Sequence, residues 1–194
     1  YLDIVKDRLY TAGKKSLSRR ACQTVLYETL QTLVRVLVPV MPHQAEDIWM
    51  SIPECQKSVE SALLTDWVKP NANWNNSQLE EDFSKILKAR EVVTRAIEPL
   101  RADKKVGSSL EVGVYIKTAD DSVLKENSDE LANIFITSQA YISDEKPSDV
   151  LNEYIEDDYT VWVVKAQGEK CERCWKYRHL ENGICDECKD AVNA

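Results

Sequence analysis

Apolar residues recur at helical spacing through the first hundred residues of the chain. Between residues 18 and 38 they form one stripe, made of Cys22, Leu26, Leu30, Leu33 and Leu37. This spacing predicts an amphipathic helix that Pro39 ends. Pro42 favours the first turn of a second helix, and residues 1–10 resemble the end of an earlier one.

A long segment without any period separates these helices from the next one. Residues 53–78 hold Trp67 and Trp74 among prolines and asparagines, which predicts a loop pinned by its aromatic side chains. Ser77 with Glu80 three residues later forms a capping box. We expect a long amphipathic helix to begin there and to reach toward Pro99.

The pattern changes from helical to alternating after Arg101. Val112, Val114 and Ile116 alternate with their neighbours, which predicts a half-buried strand. A short helix near residues 129–134 and strands near residues 140–142 and 160–164 are expected to follow. The predicted fold is therefore mainly α with a small α+β part. It consists of a helical bundle over residues 1–100, a small α/β junction subdomain over 101–166 and a cysteine module over 167–194.

Composition and charge narrow the class of protein. The chain of 194 residues is 43% hydrophobic, enough for one ordinary domain and a smaller part. It has no apolar run long enough to cross a membrane, and its N-terminus is too charged for a signal peptide, so we expect the cytoplasm or an organelle matrix. The net charge of -8 is unevenly distributed along the chain, because residues 13–20 carry four positive charges and no acid. A basic face therefore remains compatible with the composition.

Two C-x-x-C pairs near the end of the sequence indicate a metal. Their spacing is Cys-x2-Cys-x10-Cys-x2-Cys, formed by Cys171, Cys174, Cys185 and Cys188. Four thiolates complete a tetrahedron and leave no open position for water, which predicts one structural Zn²⁺. The module has few apolar residues, so metal binding must supply its stability, about 10 kcal/mol for such sites. Two adjacent disulfides or a redox-active pair are the alternatives.

The other candidate ligands have weaker cases. His179 could replace one sulfur, but four cysteines already fill the coordination shell. Cys22 lies on the apolar stripe and is expected in the core, while Cys55 is a loop thiol without a visible role.

Positive charge is concentrated around the first cysteine pair. The basic residues there are Lys165, Lys170, Arg173, Lys176 and Arg178. A rigidly held guanidinium and indole suit an unpaired base, the first by hydrogen bonding and the second by stacking. In the alternative interpretation, Trp175 covers the apolar side of the metal site and Arg173 is only solvated.

Three separated stretches of the sequence are similar to one enzyme family. They are residues 7–10 with 18–27, residues 101–110, and the run Lys170-Cys171-Glu172-Arg173-Cys174-Trp175. Together they resemble the C-terminal region of bacterial-type isoleucyl-tRNA synthetases. The resemblance implies an anticodon-binding helical domain, a junction, and a zinc domain that closes over the anticodon region. It also implies that Arg173 and Trp175 lie near anticodon-loop bases. The ten-residue spacer between the cysteine pairs is shorter than the insert common in this family.

The resemblance further implies a tRNA partner and a separate domain for catalysis. The partner is tRNA(Ile), and the full-length ligase is expected to be monomeric. ATP and Mg²⁺ belong to a catalytic domain with His-Ile-Gly-His and Lys-Met-Ser-Lys-Ser signatures, which has no counterpart in this sequence. We therefore expect this fragment not to activate isoleucine, and we assign it no catalytic residue.

Two further basic clusters are candidates for tRNA contact. The first is Lys14, Lys15, Arg19 and Arg20, at the start of a helix, where positive charge opposes the helix dipole unless an anion is bound. This placement favours phosphate contact with the anticodon stem, together with Lys176 and Arg178 of the module. The second cluster, Arg101, Lys104 and Lys105, either contacts tRNA or holds the junction.

Two other functions remain as alternatives at the level of sequence. A zinc-ribbon DNA-binding tail, such as that of formamidopyrimidine-type DNA glycosylases, has a similar four-cysteine module but leaves residues 1–100 unexplained. A structural or protein-interaction zinc module is favoured by the net acidity.

Overall fold

The computed structural model describes residues 1–53 and 57–193, so Cys55 lies outside the described residues. Roughly half of the chain is helical. The helices are α1 (Leu2–Tyr10), α2 (Leu17–Leu37), α3 (Pro42–Met50), α4 (Ser77–Ala102), α5 (Ser122–Glu126), α6 (Ser128–Phe135) and α7 (Asp186–Asn193). The strands are β1 (Val112–Lys117), β2 (Gln139–Ile142), β3 (Val150–Glu156), β4 (Tyr159–Lys165), β5 (Glu169–Lys170) and β6 (Tyr177–Arg178). The predicted combination of many helices with a small sheet is confirmed.

Packing groups the chain into two compact units. Residues 17–75 form one, here called the helical unit, and residues 1–16 with 76–194 form the other, the sheet unit. The division at residues 100 and 166 expected from the sequence describes functional parts rather than packing, and it stays a prediction.

The helical unit has a small core between α2 and α3. Its buried residues are Val34, Ala45, Trp49, Ile52 and Ala62. The indole nitrogen of Trp49 donates a hydrogen bond of 3.1 Å to the carbonyl of Val59, so this large ring is buried without an unpaired donor. Leu33, expected on the apolar stripe, is 52% exposed because the buried face of α2 runs through Gln31 and Val34.

The segment after α3 is not held by its aromatic residues. Trp67 and Trp74 are 66% and 63% exposed, so the prediction of a loop pinned by these rings is wrong. Polar side chains stabilise the segment instead. Ser61 and Asn71 each cap a short 3-10 turn, and the Glu46 carboxylate accepts hydrogen bonds of 2.9 Å from the hydroxyl of Ser61 and from the next backbone N–H.

The sheet unit is built around a four-stranded mixed sheet in the order β2-β1-β4-β3. β1 is parallel to β2, with α5 and α6 in the connection, and antiparallel to β4. Val112, Val114 and Ile116 of β1 are fully buried, as their alternation predicted. β3 was not predicted, because alternate residues of this edge strand are exposed and its surroundings are rich in acids.

Helix α4 covers the sheet. Its apolar face includes Ile86, Ala89, Val93, Ala96, Ile97 and Leu100, which pack in one core with the strands. The N-cap of this helix lies one residue before Ser77, the position that the predicted capping box gave it. Asn76 is the N-cap, its side chain accepting from the N–H of Leu79 at 3.0 Å, and Ser77 is already helical. The chain continues past Pro99 to Ala102 before the helix ends.

Among the described residues, no helix combines the length and apolar character that crossing a bilayer requires.

Candidate metal centre and nucleic-acid interface

The first cysteine pair lies in a tight hairpin. β5 and β6 pair on either side of it, and the N–H of Cys171 donates to the carbonyl of Lys176 at 2.9 Å. Gly168 precedes the hairpin with φ of +94°, and a Cβ at this position would lie 2.5 Å from the carbonyl oxygen of Arg178. Only glycine fits there, because both the backbone angle and the space exclude a side chain.

The second cysteine pair lies at the beginning of α7. Cys185 directly precedes this helix and Cys188 is in its first turn. The two pairs are joined through backbone contacts, since the N–H of Cys185 points to Sγ of Cys171 at 3.4 Å.

The four sulfur atoms converge on one point. All lie within 4.8 Å of one another, none forms a disulfide, and each cysteine is at most 9% exposed. The Sγ atoms of Cys174 and Cys185 are 3.8 Å apart. Two ligands of a tetrahedral zinc, each about 2.3 Å from the ion, are themselves separated by about 3.8 Å. This donor set therefore fits a four-coordinate metal ion, and the disulfide alternative is not observed.

The thiols of the cluster differ in how readily they ionise. Burial raises the pKa of Cys171, but backbone N–H groups of Cys174, Cys185 and Arg173 outweigh it and bring the pKa to about 6. Burial raises the pKa of Cys174 and of Cys188 above the usual range. Several thiolates cannot ionise together in this small volume without a positive charge between them.

Strand β2 anchors the module to the sheet. The side-chain amide of Gln139 donates to the carbonyls of Tyr177, at 2.6 Å, and Gln167, at 3.1 Å. The hydroxyl of Ser138 accepts from the N–H of Tyr177 at 2.7 Å. The hairpin therefore has a fixed position on the sheet unit.

Trp175 projects from the hairpin into solvent. It is 62% exposed, although it directly follows a metal-ligand candidate. Its φ of +66° is unusual for a bulky residue and is held by a hydrogen bond of 2.9 Å from its N–H to the carbonyl of Cys171. The ammonium of Lys170 lies 5.7 Å from the ring centroid. The ring therefore does not cover the metal site, which removes one alternative left open by the sequence.

Lys176 is buried, although the sequence predicted it at the surface. We predicted a surface contact to tRNA, but its side chain is 4% exposed and its ammonium lies 2.8 Å from the carboxylate of Asp7. It also donates to the side-chain oxygen of Asn133. Asp7 is in α1 and Asn133 in α6, so this lysine joins three elements of the sheet unit. Its burial argues against the predicted contact, and it leaves the candidate set.

The two arginines of the module have partners within the fold. Arg173 donates to the carbonyl of Thr11, just beyond α1, and Arg178 pairs with Glu187 of α7. Both side chains remain partly exposed. Arg173 therefore fixes the hairpin against the end of α1, and its side chain stays partly exposed. His179 is exposed and is not in the four-residue cluster.

The other basic candidates are mostly at the surface. Lys14, Lys15 and Arg20 are exposed and Arg19 is half-buried, and the first turn of α2 contains no acid. In the second cluster, Arg101 pairs with Glu98 at 2.8 Å and Lys105 with Asp103 at 3.3 Å. Lys104 is exposed with φ of +58°. Exposed ion pairs of this kind contribute little, so these cations remain accessible to an anion.

Sequence reasoning missed the residues that position the hairpin. Asp7, Asn133 and Ser138 each lie far along the chain from the cysteines they support. Only Asp7 stood in a stretch that resembled the synthetase family, which was the one available signal.

Comparison with known proteins decides the family. The profile described as the anticodon-binding domain of tRNA ligase matches residues 1–116. The chain belongs to this family. A protein of Gloeobacter violaceus named isoleucine–tRNA ligase is 38% identical over 99% of the chain and 20% of its own length. The chloroplastic/mitochondrial isoleucine–tRNA ligase of Arabidopsis thaliana is 38% identical over 91% of the chain and 18% of its own length. A further isoleucine–tRNA ligase, from a Thermoanaerobacter species, is 39% identical over 91% of the chain.

This anticodon-binding family member spans about a fifth of the length of the relatives it matches. The resemblance stated from the sequence is confirmed. The similarity to the Gloeobacter violaceus protein extends past the family profile and through the cysteine module, because it covers 99% of the chain.

Proposed function

We propose that the chain recognises the anticodon region of tRNA(Ile) as part of an isoleucine–tRNA ligase. The family profile over residues 1–116 and relatives that bear this name support the proposal. Attachment of isoleucine with ATP and Mg²⁺ then takes place in a domain outside this sequence. The contribution of this chain is binding energy and orientation, which hold the acceptor end in a distant active site. No observation favours the DNA-binding alternative.

The exposed ring of Trp175 is the observation that carries the proposed mode of recognition. The ring stands on a metal-stabilised hairpin, with Lys170 against it and the partly exposed Arg173 nearby in sequence. An unstacked base can lie on the indole, and each such stack contributes about 1–3 kcal/mol. We assign phosphate contacts to Arg178 and to the two basic clusters, Lys14, Lys15, Arg19 and Arg20, and Arg101, Lys104 and Lys105.

Binding to tRNA(Ile) transcripts with substituted anticodons tests this proposal. We expect wild-type protein to prefer the native anticodon, and Trp175→Ala to weaken binding about tenfold and to lose that preference. Trp175→Phe keeps a stacking ring and should retain most of both. Zinc content is measured in each variant so that a damaged module is recognised. Equal binding of all anticodons by wild type, or an unchanged preference in Trp175→Ala, would refute the proposal.

We also propose that the four cysteines hold one structural Zn²⁺. When bound, the ion supplies cross-linking and neutralises the thiolates, and it has no open position for catalysis. Its loss should unfold the hairpin, since Leu180 and Ile184 are the only partly buried apolar residues in the described part of the chain that pack against the cluster. Cys185→Ser should lower zinc from one equivalent toward none, whereas Cys22→Ser should leave it unchanged. Full zinc in Cys185→Ser would contradict the ligand set.

A further inference from the structure

Residues 181–184 form an exposed tight turn in the spacer between the two cysteine pairs. Glu181 and Ile184 pair as an isolated antiparallel bridge. The loop between them is Asn182-Gly183, the only Asn-Gly dipeptide of the sequence. Both loop residues have positive φ, +54° for Asn182 and +84° for Gly183. Asn-Gly is favoured in turns of this kind, because asparagine and glycine tolerate positive φ best.

The side chain of Asn182 is free to react. The residue is exposed, and neither its side chain nor the N–H of Gly183 makes a hydrogen bond within the described part of the chain. Two backbone hydrogen bonds hold the turn. The N–H of Glu181 donates to the carbonyl of Ile184 at 2.9 Å, and the reverse bond is 3.3 Å long. A turn held by so few bonds opens at lower cost than a helix or a central strand.

The two asparagines that precede serine, Asn76 and Asn127, are held by their side chains. In both cases the serine is the first residue of a helix, α4 or α6. The side-chain oxygen of Asn76 accepts from the N–H of Leu79 at 3.0 Å. The side-chain amide of Asn127 donates to the carbonyl of Val123 at 2.8 Å. These two residues are therefore internal controls for the reactivity of Asn182.

We propose that Asn182 is a site of spontaneous deamidation. The backbone nitrogen of Gly183 attacks Cγ of the Asn182 side chain and gives its proton to water, and ammonia leaves as the C–N bond of the side-chain amide breaks. Glycine favours this step because it has no side chain to hinder its nitrogen. Water then opens the cyclic imide at either carbonyl, which yields aspartate or isoaspartate. The reaction consumes water, releases ammonia and needs no oxidant.

Both products place a new carboxylate close to an existing one. The carboxylate of Glu172 packs on the turn, since a Cβ at Gly183 would lie 3.2 Å from its Cδ. The N–H of Glu172 also donates to the carbonyl of Gly183 at 3.1 Å. Like charges across such a contact repel each other, and isoaspartate in addition inserts a methylene group into the main chain. Deamidation therefore weakens the contact between the turn and Glu172.

This contact helps to align the two cysteine pairs. Glu172 lies inside the first pair, and Gly183 precedes the second. The N–H of Cys185, shortly after the turn, points to Sγ of Cys171 at 3.4 Å. A displaced turn moves Cys185 relative to the first pair, so the module should release its metal faster. This second step rests on the proposed Zn²⁺ site, whereas deamidation itself does not depend on it.

Ageing of the zinc-loaded full chain at mildly alkaline pH tests the first step. Peptides are followed by mass spectrometry, and isoaspartate is labelled with an isoaspartyl methyltransferase. The peptide that contains Asn182 should show the mass of the amide-to-acid exchange, together with the label. We expect this change at least about tenfold faster than in the peptides with Asn76 or Asn127. An Asn182 peptide that reacts no faster than these two would overturn the inference.

Zinc release to a chelating dye, timed before and after ageing, tests the second step. Asn182→Gly is the matched variant, because glycine tolerates positive φ and has no amide to lose. The deamidated fraction of the wild type should release zinc about fivefold faster than fresh protein. Aged Asn182→Gly should release it at the rate of the fresh variant. Equal rates in fresh and aged wild type would overturn the second step, as would an equal acceleration in Asn182→Gly.

The outcomes separate this inference from the proposed function. Fresh wild type that holds no zinc would overturn the proposed metal site and the second step together, while the mass change at Asn182 would still establish the modification. Transcript binding that ignores the anticodon would refute the proposed recognition of tRNA and leave both steps unaffected.

Discussion

Replacing Asp7 with asparagine should destabilise the sheet unit by removing the carboxylate that pairs with the buried ammonium of Lys176. The side chain of Lys176 is 4% exposed and lies 2.8 Å from the Asp7 carboxylate, which is 38% exposed. Breaking a fully buried pair costs about 3–5 kcal/mol. Water reaches Asp7 and screens part of the attraction, so we expect about 2–3 kcal/mol for Asp7→Asn.

The matched variant Lys176→Met removes the charge and keeps most of the length of the side chain. The carboxylate of Asp7 can then turn to solvent, and the hydrogen bonds to Asp7 and Asn133 are lost. We expect a cost of about 1 kcal/mol. The double variant should resemble Lys176→Met alone, because Asp7→Asn does no further harm once the ammonium is gone.

Hydrogen exchange in increasing urea measures this unit separately from the helical unit. Zinc-loaded protein is pulse-labelled, and the peptides that cover β1 and α6 are followed by mass spectrometry to obtain the free energy of unfolding. The order of the two variants decides the question. If Asp7→Asn costs no more than Lys176→Met, the ammonium is not buried as described and the reasoning is refuted.

Two backbone features give further predictions, each with a control in the same chain. Asn76→Ala should cost about 1 kcal/mol of unfolding free energy, because the N-cap of α4 is lost, whereas Ser77→Ala should be nearly neutral. Urea denaturation measures the unfolding free energy of both variants. A larger loss in Ser77→Ala than in Asn76→Ala would show that Ser77 is the N-cap, as the capping box predicted. Gly168→Ala should cost about 2 kcal/mol or more and lower zinc retention, because its Cβ meets a backbone carbonyl at positive φ. Gly107→Ala meets only the flexible end of a side chain, so it should be tolerated in the same zinc assay.

Sequence predicted the features that depend on near neighbours. The convergence of Cys171 with Cys185 follows from two local turns of fixed spacing, and the burial of Val114 follows from strand alternation. The helices α2 and α4 followed from their periodicity in the same way. These patterns are local because each one is set by the geometry of a single element.

Sequence failed where the deciding partner lies elsewhere in the chain. Nothing beside Lys176 shows that Asp7 and Asn133 will enclose it, so its charge suggested a surface position. Trp67 and Trp74 were expected to anchor the loop because large rings are usually buried. In the structure both are exposed, and Trp49 of α3 occupies the small core of the helical unit.

The contacts of α1 bear on how the chain folds during its synthesis. Arg8 pairs with Glu130, 122 positions later, and Thr11 receives Arg173, 162 positions later. At translation rates of about 5–20 residues per second, this helix leaves the ribosome about 6–24 seconds before its first such partner. The helical unit, complete by residue 75, can form in that interval. Helix α1 and the residue after it therefore stay without these two contacts until residues 130 and 173 have been synthesised.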